Sequence, residues 1–166
     1  MNGEQRKVCP AYIGLGGNLE DPIAQVTGAF QLLGTIPDTQ LISKSSLYRS
    51  APFGPVEQPD FVNAVAKIHT SLAAPALLEQ LQQIEASQGR IREMHWGPRV
   101  LDLDLLLFGD EKIDEPKLTV PHPGIAERNF VLLPLREIAP ELLIPGLGCV
   151  ADIAVNESEP RISRIS

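Results

Sequence analysis

The chain has 166 residues, with 14 lysines and arginines against 21 aspartates and glutamates and a formal charge of −7. That length suits one domain with a core of its own, and 43% hydrophobic with 21% charged residues excludes a disordered chain. The acidic balance argues against nonspecific nucleic-acid binding, which lysine and arginine drive, and 15 prolines argue against an all-helical bundle.

Residues 8–15 form a short apolar run ending in Gly16-Gly17-Asn18, which predicts a buried strand entering a turn. Over residues 21–33, Ile23, Val26, Phe30 and Leu33 recur at helical steps with Pro22 in the first turn; Gly34 and Pro37 close the helix. Residues 41–48 predict a second strand. The stretch 51–59 holds Pro52, Gly54, Pro55 and Pro59 and is a loop. Residues 61–68 alternate as a third strand, with Phe61, Asn63, Val65 and Lys67 on one face. A second helix over 75–87 carries the stripe Leu77, Leu78, Leu81 and Ile84. The loop 90–99 follows, then a strand over 100–108 with a hairpin return through Ile113, and a helix over 130–138 bounded by Pro134 and Pro140. The order β-α-β-β-α-β predicts a single α+β domain: a ferredoxin-like sandwich with helices on one face of an antiparallel sheet and long substrate loops. The tail, about residues 150–166, carries few anchors and is expected to be loosely packed.

Asp102-Leu103-Asp104 bears the sharpest chemistry. Residues two apart in a strand share a face, so both carboxylates emerge together while Leu101, Leu103 and Leu105 point the other way. Adjacent carboxylates repel unless a cation compensates them, and such pairs suit Mg²⁺ carried with substrate phosphates. A solvent-facing pair on an edge strand is the structural alternative. Arg90, Arg92 and Arg99 precede the pair in a loop whose single acid is Glu93, the net-basic patch of an acidic chain. Guanidinium groups match phosphate oxygens in bidentate fashion. Trp96, the sole tryptophan, lies in this loop as either a stacking platform or a core anchor. Thr119-Val120-Pro121-His122-Pro123 sets a histidine between prolines, in a ligand-facing or a structural role. Gly14-Leu15-Gly16-Gly17-Asn18 lacks the third glycine of a dinucleotide fingerprint.

In combination, Ala11-Tyr12-Ile13-Gly14-Leu15-Gly16-Gly17-Asn18-Leu19, Ser46-Leu47-Tyr48-Arg49-Ser50-Ala51-Pro52, Gln58-Pro59-Asp60-Phe61-Val62-Asn63, Trp96-Gly97-Pro98-Arg99-Val100-Leu101-Asp102-Leu103-Asp104 and Leu118-Thr119-Val120-Pro121-His122-Pro123 resemble the 6-hydroxymethyl-7,8-dihydropterin pyrophosphokinases of folate biosynthesis. The resemblance implies transfer of pyrophosphate from ATP to the pterin hydroxymethyl group, with release of AMP. It implies Asp102 and Asp104 as ligands of two Mg²⁺ ions bound with ATP, and Arg90, Arg92 and Arg99 as catalytic-loop arginines. ATP contacts carried over are Gln82, Glu85, Arg92, Trp96, Arg99, Leu105, Lys117, Thr119, His122 and Arg128. Pterin contacts carried over are Gly16, Ser50, Ala51, Phe53, Phe61, Asn63, Trp96 and Phe130.

The chain departs from the family's pattern in a loop, 90–96, one residue shorter than a familiar version, in Ser50-Ala51 where Thr-Pro is common, and in Lys117 where an arginine occurs. A noncatalytic ferredoxin-like ligand-binding module is the competing reading. The start lacks an apolar leader, no run approaches a membrane span, and Cys9 and Cys149 show no metal spacing. The expectation is a cytoplasmic monomer whose partners are ATP and the reduced pterin, with no nucleic acid or membrane.

Overall fold

The computed structural model describes residues 7–52, 57–88, 100–158 and 160–165. In chain order these form β1 (Cys9–Gly17), α1 (Pro22–Leu33), β2 (Thr39–Lys44), β3 (Tyr48–Ser50), β4 (Phe61–Thr70), α2 (Ala74–Ser87), β5 (Asp102–Phe108), β6 (Ile113–Glu115), β7 (Leu118–Val120), α3 (Asn129–Ile138), β8 (Leu143–Ile144), β9 (Gly148–Cys149) and β10 (Ile162–Arg164). The main sheet runs β10–β3–β4–β1–β5, with β2 also paired to β4, and every ladder in it is antiparallel.

Each element follows from its sequence. Asp21 caps α1 by accepting the Ala24 N–H at 3.4 Å, Pro22 opens it where no donor is needed, and Gly34 closes it. Val26, Phe30 and Leu33 are buried, whereas Ile23 of the expected stripe remains exposed. On α2, Leu77 and Leu81 are buried as the stripe requires, and the third buried position of that turn is a carboxylate, Glu85. It accepts the Leu103 N–H at 2.7 Å, satisfying a backbone donor of the edge strand β5.

The central strands bury side chains on both faces, so the sheet needs two covering layers. Ile13, Leu15, Val62, Ala64, Ile68, Leu103 and Leu105 pack against α1 and α2. Tyr12, Val65, Leu106 and Leu107 pack against Val131, Leu132 and Leu135 of α3. Helices on one face describe α1 and α2; α3 lies on the other. A register shift between Tyr12 and Ile13 against β5 sends the consecutive residues Leu106 and Leu107 into the same core.

Four expectations are corrected. The strand expected over 41–48 is split into β2 and β3, because the Ser45 hydroxyl accepts the Val65 N–H at 2.9 Å and breaks the ladder with β4. The return after β5 does not pair with it: β6 pairs with β7, a strand unforeseen in the sequence. Pro134 lies inside α3 rather than at its edge, and it is buried. The tail is built in, not loose. β10 pairs with β3, the Ala51 N–H donates to Arg161 O at 2.9 Å, and the Ile165 N–H donates to Leu47 O at 2.8 Å. Asn129 adds two bonds, its Nδ2 donating to Asn156 O at 2.7 Å and to Pro160 O at 2.8 Å.

One cluster joins α3, β3 and β10. The Glu137 carboxylate accepts the Tyr48 hydroxyl at 2.8 Å, the Ser46 hydroxyl at 2.9 Å and the Ser46 N–H at 3.1 Å, with Arg164 at 3.7 Å. Burial, the hydrogen bond to Glu137 and its charge push the Tyr48 phenol up to about 12. Partial burial pushes the Glu137 carboxyl upward, but the bonds from Tyr48 and Ser46 and the charge of Arg164 outweigh it and hold the group below its ordinary value.

Removing residues 157–166 should lower the unfolding free energy by about 2–4 kcal/mol, on the scale of ~1 kcal/mol per lost hydrogen bond, as read from urea titration. A second expectation concerns pH. A carboxylate depressed in the folded state contributes its stability in full above the unfolded value and loses it as pH falls through the folded one. The difference in stability between the wild type and Glu137→Gln should therefore be largest at neutral pH and shrink below about 4.5, in thermal unfolding run across pH.

Candidate active site

The register of the sheet assembles the site. On β1, Gly16 pairs with Asn63 of β4 on one side and Asp102 of β5 on the other. Tyr48 of β3 pairs with Asn63, and Arg164 of β10 pairs with Tyr48. Residues directly opposite one another share a face. One row therefore crosses the sheet as Asp102, Gly16, Asn63, Tyr48 and Arg164, on the face that α3 covers further along. The next row holds Asp104, Gly14 and Val65.

Gly16 is the bare floor of the first row. A Cβ there would stand 2.9 Å from Asn63 Oδ1, inside contact distance, so a side chain would displace the amide. Asn63 is buried, and its Nδ2 donates to the Ser50 hydroxyl at 2.8 Å. That bond fixes which way the amide faces and holds its oxygen over Gly16. Ser50 in turn pairs with Phe61, whose ring is half-buried on the same face. Phe130 enters from the first turn of α3, half-buried against the second core. Gly16, Ser50, Phe61 and Asn63 thus share one face, with Ala51 joined to the C-terminal segment beside them. Phe53 lies outside the described residues.

On the other side of the carboxylates, a cavity of about 310 Å³ runs along the edge of β5. Gln82 and Glu85 of α2, Asp104 and Leu105 of β5, Lys117 and Thr119 of the β6–β7 hairpin, and His122 line it. These residues come from separate stretches of sequence and meet because β5 is an edge strand, and both α2 and the β6–β7 hairpin reach its margin. The Gly124 N–H donates to His122 Nδ1 at 3.1 Å, which leaves Nε2 as the ring's donor. Burial lowers the imidazole's affinity for protons, opposed by Asp104 and reinforced by Arg128, so the ring is neutral near pH 7. Arg128 is not on the cavity wall; its guanidinium stands 6.0 Å from the centre of the Phe130 ring. Arg90, Arg92, Trp96 and Arg99 lie outside the described residues.

Asp104 faces the cavity and Asp102 begins the row toward Asn63, so the pair stands between the two halves. No group of three or more His, Cys, Asp or Glu side chains that could hold a metal occurs among the described residues. Two carboxylates are nonetheless the donor set with which Mg²⁺ is held when substrate phosphates supply further oxygens. The residues present fit such an ion. Of the cavity wall, Leu78 is legible in the sequence only as part of the α2 stripe, Pro116 carries no local signal, and Glu137 beyond the row is not legible as a site residue.

The order β2–β4–β1–β5 with α1 and α2 crossing one face defines a ferredoxin-like α+β protein. A profile of the 7,8-dihydro-6-hydroxymethylpterin-pyrophosphokinase (HPPK) family matches residues 12–140, and the chain belongs to that family. The 2-amino-4-hydroxy-6-hydroxymethyldihydropteridine pyrophosphokinase of Haemophilus influenzae is 43% identical over 156 residues, 94% of this chain and 98% of that one. The enzyme of the same name from Pseudomonas aeruginosa is 49% identical over 134 residues, 81% of this chain and 83% of that one. Among solved structures, the Plasmodium falciparum HPPK-DHPS A437G protein with STZ-DHP superposes with a TM-score of 0.72 at 15% identity. It covers 91% of this chain, which spans only 46% of the Plasmodium chain, and the likeness is one of fold.

Gly16→Ala should reduce kcat/KM for the pterin by about tenfold or more, since the added methyl must displace the Asn63 amide. Steady-state kinetics with each substrate varied in turn would show it, and an unchanged value would mean that the floor of the row takes no part.

Proposed function

We propose that the protein transfers the pyrophosphoryl group of ATP to the hydroxymethyl group of 6-hydroxymethyl-7,8-dihydropterin in folate biosynthesis. The observation that supports this most is the carboxylate pair between a cavity walled by Gln82, Leu105, Thr119 and His122 and a separate polar floor made by Gly16, Asn63 and Ser50. Two substrates of different character, placed on either side of Asp102 and Asp104, would meet at the carboxylates.

In the reaction the hydroxymethyl oxygen bonds to the β-phosphorus, the bond from that phosphorus to the α,β-bridging oxygen breaks, and AMP departs. The hydroxyl proton leaves to solvent. No covalent protein intermediate is needed, so positioning and charge neutralisation dominate the catalysis. On the nucleotide side, backbone and side chain of residues 117–119 and Leu105 offer a wall for the base, and neutral His122 donates to a sugar or phosphate oxygen. Asn63 gives both a donor and an acceptor to the pterin's amide edge, with Phe61 and Phe130 as flat apolar walls.

Asp102 and Asp104 would hold two Mg²⁺ ions, which when bound neutralise the triphosphate and orient it for in-line transfer. Arg90, Arg92 and Arg99, with Trp96 and Phe53, enter this reading on sequence grounds, the arginines as phosphate clamps next to the carboxylates. Arg128 over the Phe130 ring faces the pterin wall, with its charge still felt at His122. The reading is completed by a cytoplasmic monomer that acts on free small molecules. Among the described residues no helix is long and apolar enough to cross a membrane.

The test is turnover of ATP, Mg²⁺ and the hydroxymethyl-dihydropterin scored by nucleotide product. AMP is expected; ADP, or no pterin-dependent turnover, would overturn the proposal. Asp102→Asn and Asp104→Asn should each lower kcat by about 10²–10³-fold while leaving the thermal midpoint near that of the wild type.

A further inference from the structure

The pterin floor depends on β3, a strand of three residues, Tyr48–Ser50. So short a strand has little register of its own, and a slip of one residue would carry Ser50 to the opposite face and leave Asn63 without its partner. Upstream, the ladder with β4 is interrupted between Lys44 and Tyr48. Within that gap the Ser46 N–H points away from β4, and both Glu137 oxygens receive it at 3.1 Å. The same carboxylate takes the Ser46 and Tyr48 hydroxyls at 2.9 and 2.8 Å. Three donors from alternate residues of one segment thus converge on one side chain of α3, the helix whose opposite end carries Phe130.

We propose that Glu137 is a positioning residue for the pterin half of the site, acting through Tyr48 and Ser46 to set the register of β3. Tyr48 is the neighbour of Asn63 across the ladder, and Ser50, two residues on, is the hydrogen-bond partner of the Asn63 amide. The carboxylate therefore determines where the donor and acceptor of Asn63 are presented, without touching a substrate. Gln82, Asp104, Thr119 and His122 line a cavity on the far side of β1, and none of them bonds to this cluster. The effect is confined to one substrate. Glu137 also ties α3 to β3, so the two walls that would hold the pterin, Phe130 and the floor at Asn63, move as one piece.

The inference rests on the pterin reading, and the experiment separates the two. Steady-state kinetics of the wild type, Glu137→Gln, Glu137→Asp and Tyr48→Phe would be compared with each substrate varied. Glu137→Gln keeps the size but loses the charge that accepts three donors. It should raise KM for the pterin about tenfold with KM for ATP within about twofold of the wild type. Tyr48→Phe should give a smaller rise of the same kind, and Glu137→Asp should restore part of the loss. An unchanged pterin KM in Glu137→Gln, or an equal rise for both substrates, overturns the proposal. If the wild type itself does not act on the pterin, the functional reading fails, and amide hydrogen exchange still tests the positioning. An increase in exchange in Glu137→Gln at residues 46–51 that exceeds the increase through β4 and β5 supports it; unaltered exchange there, or an equal increase throughout the sheet, overturns it.

Discussion

The structure hangs on the placement of β1 between β4 and β5. This strand contributes glycine at two positions, Gly14 and Gly16, where it faces the site, and aliphatic side chains at Ile13 and Leu15, where it faces the core beneath α1 and α2. Alternation does both jobs at once: one face supplies the apolar burial that holds the sheet, and the other is left nearly bare. A shift of one residue in either ladder would put leucine where the floor must be empty and glycine where the core must be filled. Core packing and site geometry are therefore the same constraint, and a strand that failed to register would lose both.

Around that strand, the chemistry is divided by position rather than by residue type. Asp102 and Asp104 differ by one pleat, yet one begins the row toward Asn63 while the other borders the cavity along β5. The segment between them is held from behind by Glu85, a buried carboxylate used to satisfy the Leu103 N–H. A buried acid without a donor would be costly, and here a backbone amide of an edge strand serves as one. The same economy appears at Glu137, where one carboxylate is shared by three donors and stands near one cation.

What was legible in the sequence was local. The two-residue spacing of the aspartates, the glycine run, the alternation from Phe61 to Lys67 and the helical stripe through Leu77 and Leu81 all lie within one element. Each was read by its period. Glu85 was legible as a polar position of α2 but not as a buried one, since its donor is 18 residues away on another strand. The split of the second strand could not be read, because it depends on a serine hydroxyl replacing a backbone acceptor for Val65. The tail and Glu137 were the least legible: Ser46 and Glu137 are 91 residues apart, and no periodicity reports such a contact. Asn129 carries no local signal either, and it holds the C-terminal segment through Nδ2.

The strand β10 has a consequence for the protein in a crowded solution. An uncovered β3 would leave a row of backbone donors and acceptors at the margin of the sheet, able to zip onto the margin of a neighbouring molecule. β10 takes those groups and then ends after three residues, with Ser163 and Arg164 exposed. A margin so brief, hydrated and charged gives another chain almost nothing to extend, so the segment that completes this side of the sheet also discourages growth beyond β3.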